Sequence, residues 1–361
     1  MCDAFMAPAL AARVVMAREI VAARASVAAA VTEEFLQRHP DWLTQYGEKA
    51  RVRGTEDAGH HIDFLAGAIE SGSVAAFCEY ARWCSRLLSG VGMAPQFLAE
   101  SLEQISQHLS AKLGAPANET IASFTESAVA ATLEAPGDPV APRESALDSA
   151  RSLFVQAILA GRRREALTVA REAVRQGHTV AGVYVHVFQE ALYEVGRLWE
   201  RDRITVAQEH MATATVQYVI AQMYSELPLA ARARGKAIVT GVQGEFHQVG
   251  ANIVADTLEM DGWNVRFLGT NMPHRGILAA IEEGGVDLLG ISATMLFNLP
   301  QVRALVHDVR EKLGAGAPRI VVGGGAFRLC PEFCTEMEVI GPASDVVTAV
   351  QLCAAERKLH L

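Results

Sequence analysis

A histidine stands at the turn between an apolar strand and a helix in the C-terminal third of the chain. The hydrophobic pattern predicts a strand over residues 236–242 and a helix over residues 249–260, with His247 between them. In an open α/β sheet, ligands bind at the carboxyl ends of the strands, which is where this turn lies. An imidazole there can ligate a metal through one nitrogen while Glu245 holds the other nitrogen. The spacing therefore predicts a metal-binding histidine with a fixed tautomer.

Two further strand ends are expected beside His247. Residues 286–292 read as a buried strand that ends at Ser292 and Thr294, and residues 318–323 run into Gly323, Gly324 and Gly325. Glycine allows positive φ and close approach of the backbone to a ligand, so this edge suits a bulky guest. Taken one at a time, a polar loop histidine and a tight glycine turn are the plainer alternatives.

The last third of the chain alternates between strand and helix patterns. Strands are predicted near 236–242, 264–269, 286–292, 318–323 and 337–341, and helices near 249–260, 274–284, 299–313 and 344–357. This alternation predicts a doubly wound, flavodoxin-like α/β domain over residues 236–361, for which analogy gives the strand order 2-1-3-4-5. No GxGxxG follows the first strand, which disfavours dinucleotide binding.

The preceding residues, 146–232, have apolar side chains at helical spacing and predict a helical bundle. Within it, Trp199 is followed after nine intervening residues by Glu209 and His210. Alone, Trp199 reads equally as a core aromatic and the Glu-His pair as a solvated helix face.

Together, these segments resemble a known family arrangement. The sheet domain resembles the vitamin B12-binding domain, whose Asp-x-His-x-x-Gly pattern appears here as Glu245-x-His247-x-x-Gly250. The family's Ser-x-Leu appears as Ser292-Ala293-Thr294 and its Gly-Gly as Gly323-Gly324, so Glu245 and Thr294 depart from the usual Asp and Leu. With Trp199, Glu209 and His210, the bundle resembles the cap of the B12-dependent photoreceptors, which implies a four-helix bundle over residues 146–232.

The resemblance implies a site and a function. His247 would replace the dimethylbenzimidazole base beneath cobalt, and the displaced tail would pass Ser292, Thr294 and Gly323 to Gly325. Trp199 and Glu209 would hold the 5′-deoxyadenosyl group of adenosylcobalamin, and His210 would ligate cobalt after light breaks the cobalt-carbon bond. The expected function is a light sensor that signals by cap rearrangement, through altered oligomerisation or a downstream protein partner.

The N-terminal residues 1–133 are predicted to be all-helical, and the Pro- and Gly-rich residues 134–145 to be a linker. A helical block ahead of a B12 cap and domain resembles the photocobilins, which also bind biliverdin. Cations and polar groups that suit a bilin are present, and Cys78 or Cys84 offers a thiol for covalent attachment. The bilin candidates are Arg51, Arg53, His60, His61, Asp63 and Arg82. The alternative is that the aromatic residues around them form an ordinary helical core.

Composition limits the partners. The net charge of −9 and pI near 5.7 disfavour direct binding to DNA or to an anionic membrane. The cysteines form no CxxC pair, and the N-terminal residues lack an unbroken apolar run, so we expect a reducing, cytoplasmic setting. The resemblance to the photoreceptors implies a homo-oligomer with a light-dependent state.

Two other functions remain open at this stage. The chain is either a corrinoid methyl-carrier of a methyltransferase system or a module that stores or delivers corrinoid. Apart from the cobalt site, the sequence contains no nucleophile-base pair, phosphate loop or carboxylate dyad in a convincing context, so no enzymatic activity is expected.

Overall fold

The computed structural model describes residues 9–134, 144–232 and 234–354. The chain divides into two compact units, one formed by Met1–Gly137 with Met295–Pro300 and the other by Asp138–Thr294 with Gln301–Leu361. Most of the predicted linker, residues 135–143, lies outside the described residues. Within the described ranges, no helix is both long and apolar enough to cross a membrane.

The first unit is helical. Its helices are α1 (Leu10–Arg38), α2 (Pro40–Tyr46), α3 (Glu48–Ser71), α4 (Val74–Gly90), α5 (Pro95–Leu113) and α6 (Ala115–Leu133). Helix α1 buries Met16, Ile20, Val27 and Val31, whose spacings of four and seven residues place them on one helix face. Small residues between them, such as Ala23, keep the neighbouring helix close, and Arg24 of α1 pairs with Asp63 of α3 at 2.8 Å.

Six residues from the sheet domain also belong to the first unit. The loop Met295–Pro300 buries Leu296 and Leu299, and the ring of Phe297 meets Phe64 of α3 edge-on, with centroids 5.2 Å apart. Gly67 of α3 allows this contact, because a Cβ at that position would lie 2.5 Å from the carbonyl oxygen of Leu296. Sequence patterns along α3 alone do not reveal this long-range contact.

The second unit begins with the cap. Its helices are α7 (Asp148–Leu159), α8 (Arg163–Arg175), α9 (Val180–Val183), α10 (Glu190–Glu200) and α11 (Val206–Met223). A π-helical segment, Tyr184–Gln189, joins α9 to α10, so the two read as one composite helix and the cap as a four-helix bundle. Buried Phe154, Tyr184 and Phe188 stack in its core.

The sheet domain completes the second unit. Its elements are β1 (Lys236–Val242), α12 (Gln248–Met260), β2 (Asn264–Met272), α13 (His274–Gly284), β3 (Leu288–Ser292), α14 (Leu299–Leu313), β4 (Arg319–Gly323), α15 (Gly325–Leu329), α16 (Glu332–Glu336), β5 (Ile340–Ala343) and α17 (Val346–Ala354). All strand pairs are parallel, in the order β2-β1-β3-β4-β5, which matches the predicted order. The carboxyl ends of β1, β3 and β4 therefore meet at one edge.

Two predicted strands differ from the structure. The second strand continues to Met272 rather than ending at residue 269, because Gly269 adopts φ +77° at a register shift and the pairing with β1 then resumes. The fifth strand covers Ile340–Ala343 rather than residues 337–341, because α16 ends at Glu336 and Glu338 turns with φ +49°. The apolar residues near the end of α16 and in the turn after it resemble a buried strand in sequence, which is why the predicted strand began too early.

We expect Gly67→Ala to destabilise the first unit by about 1–3 kcal/mol, because the added methyl group overlaps the Leu296 carbonyl. The control is Gly196→Ala in α10, where a Cβ would have no other atom within 4 Å. This substitution should leave the stability unchanged or raise it by up to about 1 kcal/mol. Thermal unfolding followed by circular dichroism measures both. Equal unfolding temperatures for the two variants would contradict the assigned contact.

Candidate functional site

The Glu245–His247 pair lies in the turn between β1 and α12. The Nδ1 atom of His247 lies 2.6 Å from Oε1 of Glu245, and the backbone N–H of His247 donates to the same oxygen at 2.9 Å. Since a carboxylate accepts, Nδ1 carries the proton, and Nε2 keeps a free lone pair. The side chain of His247 is 54% exposed, so this nitrogen is accessible to a metal.

Glu245 is fully buried and is held from two sides. Its Oε2 accepts from the backbone N–H of Thr294 at 2.5 Å, so each carboxylate oxygen has a partner. Burial by itself raises the pKa of Glu245, but the hydrogen bonds from His247 and Thr294 outweigh it and leave the pKa below its usual value. The carboxylate therefore stays ionised and fixes the imidazole.

Glycine and asparagine shape this turn. A Cβ on Gly241 would lie 2.8 Å from Thr270 and 3.2 Å from Cγ of Glu245, so only glycine leaves room for the buried carboxylate. Gly244 adopts φ +86°, and its N–H donates to the side chain of Asn271 at 2.9 Å. His247 then occupies the N-cap position of α12 with non-helical angles, which projects it from the helix start.

A cavity of about 210 Å³ opens beside His247. Its lining comes from the sheet, from α12 and α17, and from the cap. The residues that line it include Gln189, Leu192, Tyr193, Val239, His247, Gly250, Leu258, Gly290, Ser292, Thr294, Val321, Gly323, Gly324, Gly325, Arg328, Ser344, Asp345, Ala349 and Cys353. Most of its surface is apolar, so it suits an aromatic or aliphatic group better than an ionic one.

Three consecutive glycines form one wall. Gly324 has φ +108°, and a Cβ there would lie 2.4 Å from the carbonyl oxygen of Ala293. A Cβ on Gly323 or Gly325 would press on Ala343 or Thr294 at 3.1 and 3.0 Å. Side chains are therefore excluded here, and the backbone itself faces the cavity.

The structure brings most of the predicted sheet-domain residues together. His247, Gly250, Ser292, Thr294 and Gly323 to Gly325 all line the cavity, and Glu245 lies behind His247. Sequence reasoning missed the cap residues Gln189, Leu192 and Tyr193 and the helix residues Ser344 to Cys353. No motif marks these residues, because they meet the site only through tertiary packing.

Arg328 and Tyr193 connect the sheet domain to the cap at this cavity. Nη1 of Arg328 lies 3.0 Å from the hydroxyl oxygen of Tyr193, and the guanidinium also lies 5.9 Å from the ring centroid. Both side chains are exposed, so the contact is weak and can break without a large cost.

The predicted cap residues lie elsewhere. Among the described residues, Trp199, Glu209 and His210 are not part of the cavity lining. Glu209 accepts from Thr213 at 3.0 Å and lies 2.7 Å from Nδ1 of His210, whose side chain is 76% exposed. Trp199 is half-buried in the last turn of α10.

The bilin candidates do not gather at one site. Arg51 pairs with Glu33 and Glu48, Arg53 with Glu56, Arg82 with Glu79 and Glu134, and Asp63 with Arg24. His60 is exposed, whereas His61 is buried with its Nδ1 2.6 Å from the Tyr80 hydroxyl, and burial lowers its pKa to about 4. The expected cationic cluster is absent from these described residues because nearby carboxylates pair with each arginine. Burial also raises the pKa of Cys78, and that of Cys84 to about 12, so neither thiol is activated for attachment.

A second polar contact joins the cap to the sheet domain. The hydroxyl of Tyr184 donates to Oδ2 of Asp256 on α12 at 3.0 Å. Burial raises the pKa of Asp256 to about 6, against the lowering effect of the Tyr184 hydrogen bond, and the charge of Glu259 raises it further. The ionised form of Asp256 is therefore disfavoured at this contact between the cap and α12.

Comparisons with known proteins agree with the geometry of the sheet domain. Residues 235–351 match a family model described as B12 binding domain, and residues 151–224 match a second model with the same description. These matches support cobalamin binding by this chain. The residues before 151, which include the helices of the first unit, lie outside both matches.

Several relatives share part of the chain. Dimethylamine corrinoid protein 3 of Methanosarcina acetivorans is 29% identical over 132 residues, which are 36% of this chain and 62% of the relative. Dimethylamine corrinoid protein 2 of Methanosarcina mazei is 23% identical over 45% of this chain and 77% of its own. A corrinoid protein of Desulfitobacterium hafniense is 23% identical over 47% of this chain and 81% of the relative. All three relatives are corrinoid proteins.

A solved structure shows the same fold. The monomethylamine corrinoid protein of Methanosarcina barkeri superposes with a TM-score of 0.50 at 19% identity, covering 57% of this chain and 98% of that one. The four-helix cap followed by a parallel α/β domain is therefore an architecture shared with corrinoid proteins.

These comparisons correct the expected function. The prediction of a light sensor is wrong, because the matching relatives are corrinoid proteins, two of them named for dimethylamine. The photoreceptor roles inferred for adenosylcobalamin, for biliverdin and for light-dependent oligomerisation depended on that prediction. The relatives' names agree with the expectation that this chain holds a corrinoid.

We expect the stability of the second unit to fall as pH rises from about 4 to about 6. The raised native pKa means that folded Asp256 keeps its proton where the unfolded chain has lost it, so ionisation costs up to about 3 kcal/mol across this window. Asp256→Asn should be more stable than the wild type at pH 7, with the difference disappearing near pH 4.

Chemical denaturation at several pH values measures this effect. Tyr184→Phe is the companion variant, since it removes the donor to Asp256 and should steepen the same pH dependence. A difference between Asp256→Asn and wild type that does not change with pH would show that the carboxylate does not titrate in this range.

Proposed function

We propose that this chain is a corrinoid methyl-carrier that holds a cobamide with His247 as the lower ligand to cobalt and serves a partner methyltransferase. The observation that carries the proposal is the buried Glu245 carboxylate 2.6 Å from Nδ1 of an exposed imidazole, at the carboxyl edge of a sheet that matches a B12 binding domain. This arrangement presents Nε2 as a neutral nitrogen ligand.

The residues present fit such a group in three ways. The donor is an imidazole with a buried carboxylate behind it, which is how metal-binding histidines are usually oriented. The glycines Gly323 to Gly325 form a backbone-lined wall, packed so closely that a Cβ at each position would press on Ala343, Ala293 or Thr294. The adjoining apolar cavity of about 210 Å³ is large enough for one bicyclic aromatic base.

The chain's own residues would position the cofactor and adjust its lower ligand. When bound, the corrinoid supplies a cobalt centre that takes a methyl cation from a donor and passes it to a nucleophile, so that no net oxidant is consumed. Ionised Glu245 keeps the proton on Nδ1 while Nε2 ligates. The same carboxylate would keep the imidazole in one orientation whether or not Nε2 is ligating.

A carrier is favoured over a storage module by the names of the relatives and by the cap. Dimethylamine corrinoid proteins match part of this chain, and their name associates them with a methylated amine. Three cap residues reach the cavity, and there the weak Arg328–Tyr193 contact joins an exposed side chain of the cap to the sheet domain. The part of the cap at the cavity is therefore held lightly and would move aside for a partner, and the upper ligand that we propose is a methyl group. In this proposal Trp199, Glu209 and His210 stay untested predictions.

We expect His247→Ala to bind methylcobalamin at least about 10-fold more weakly and to lose the base-off, histidine-bound absorbance spectrum, because Nε2 is the proposed ligand. Glu245→Gln should bind about 10-fold more weakly, since a neutral amide accepts less strongly from Nδ1 and orients the imidazole less firmly. The matched control is His274→Ala, because His274 begins α13 and pairs with Asp308 away from the cavity lining.

Absorbance titration of the purified chain measures all three. A wild-type spectrum and affinity in His247→Ala would exclude His247 as the ligand. A methyl-carrier further requires that the bound methyl group be transferred when a corrinoid-dependent methyltransferase and a thiol acceptor are added. Tight binding with no transfer would favour storage.

We expect Tyr193→Phe to speed both entry and release of cobalamin by a few fold, because it removes the hydrogen bond from Arg328 while keeping the ring. Tyr218→Phe is the control, since Tyr218 is a cap residue that lies near Arg163 and does not line the cavity. Stopped-flow absorbance gives both rates. Unchanged rates in Tyr193→Phe would mean that the contact does not restrain the cap.

A further inference from the structure

We propose that the cavity beside His247 selects the nucleotide base of the cobamide and prefers a benzimidazole to a purine such as adenine. The inference rests on the proposed function, since it concerns the tail of the group that His247 would hold. It follows from the contrast between a polar mouth and an apolar floor in one cavity.

The sheet register defines the depth of the cavity. Gly241, Ser292 and Gly323 form one row across β1, β3 and β4 at the carboxyl edge, and Val239, Gly290 and Val321 form the row two residues below. With a rise of about 3.3 Å per residue, the floor lies roughly 7 Å below the mouth. This depth is similar to the length of a bicyclic aromatic base.

The two levels differ in polarity. The mouth carries the side chains of His247, Ser292, Thr294, Ser344 and Asp345. The floor is formed instead by buried apolar side chains and one thiol. The floor residues are Val239, Leu258, Gly290, Val321, Ala349 and Cys353. Burial raises the pKa of Cys353 to about 11, so the thiol is neutral and only a weak hydrogen-bonding partner.

Gly290 leaves the central part of the floor open. A Cβ there would come no closer than 3.5 Å to Val239, so a side chain would be sterically tolerated but would extend into the cavity. Glycine inside a strand normally weakens the strand and often marks a close approach by a ligand. Its position in the middle row of β3 is therefore consistent with space kept for a base.

Polarity, rather than size, distinguishes the two bases on this floor. Both are flat bicyclic rings of similar volume. Dimethylbenzimidazole presents carbon and methyl groups at its far edge, whereas adenine presents an amino group and ring nitrogens that hydrogen-bond to water. Side chains on the floor do not replace those bonds, so we expect the adenine cobamide to bind about 10-fold or more weakly.

The test compares the affinities of three corrinoids for the whole chain. Cobalamin carries the benzimidazole base, pseudocobalamin carries adenine, and cobinamide lacks the nucleotide. Dissociation constants come from absorbance titration and from quenching of tryptophan fluorescence, so activity is not needed as a readout. Cobalamin should bind most tightly. Pseudocobalamin should bind only slightly more tightly than cobinamide, which has no base.

Two variants separate polarity from volume. Val321→Thr keeps the volume of the floor and adds a hydroxyl, so it should reduce the preference for cobalamin over pseudocobalamin by several fold. Gly290→Val fills the floor, so it should weaken cobalamin binding and abolish that preference, while the affinity for cobinamide stays unchanged. Unchanged cobinamide affinity also shows that each variant is folded.

Each result has a distinct meaning. Equal or tighter binding of pseudocobalamin, with cobinamide also bound, would overturn the base preference and leave the proposed function standing. A preference that Val321→Thr and Gly290→Val both leave intact would show that this floor is not its source. Failure of all three corrinoids to bind would overturn the proposed function and the base preference with it.

Discussion

The buried carboxylate of Glu245 is the constraint on which the site depends. A fully buried acid is costly unless its charge is paired, and here its oxygens accept from His247 and from the backbone of Thr294. That requirement ties the β1 turn to the end of β3 and sets the tautomer of His247. The methylene by which Glu245 exceeds the usual Asp is accommodated because Gly241 has no side chain. One buried, hydrogen-bonded carboxylate thus aligns two strand ends and the exposed imidazole of His247.

The cavity depends on a different physical feature, the absence of side chains. Gly323 to Gly325 bring the backbone of β4 and α15 to the wall, and Gly290 keeps the floor open. Helices α12 and α17 then cover this space with apolar residues, which gives a dry floor beneath a polar mouth. In the proposed function, binding of a large cofactor at the sheet edge and recognition of its tail inside the sheet would therefore use separate sets of residues.

The cap is fixed to the sheet domain by contacts of different strength. The apolar core of the cap continues into α12 through Val249 and Ile253, and the buried Tyr184–Asp256 hydrogen bond lies at the same junction. The Arg328–Tyr193 contact at the cavity is exposed and weak by comparison. Buried packing restrains one part of the cap while the part at the cavity mouth is held lightly. That distribution suits a domain whose cofactor has to be covered and then reached.

Sequence alone predicted most elements of the sheet domain and the candidate ligand. The helix-strand alternation and the Glu245–His247 pair followed from periodicity and short spacing, because these features are local in the chain, whereas the strand order came by analogy with other doubly wound domains. The light-sensor interpretation was wrong because Trp199, Glu209 and His210 are compatible with a cap of either function, and their types do not state what they contact. Tertiary structure alone decided the bulge at Gly269, the contribution of Tyr193 and Cys353 to one cavity, and the placement of Met295–Pro300 with the first unit. Each of these depends on packing between residues distant in the sequence, which a pattern along one segment does not contain.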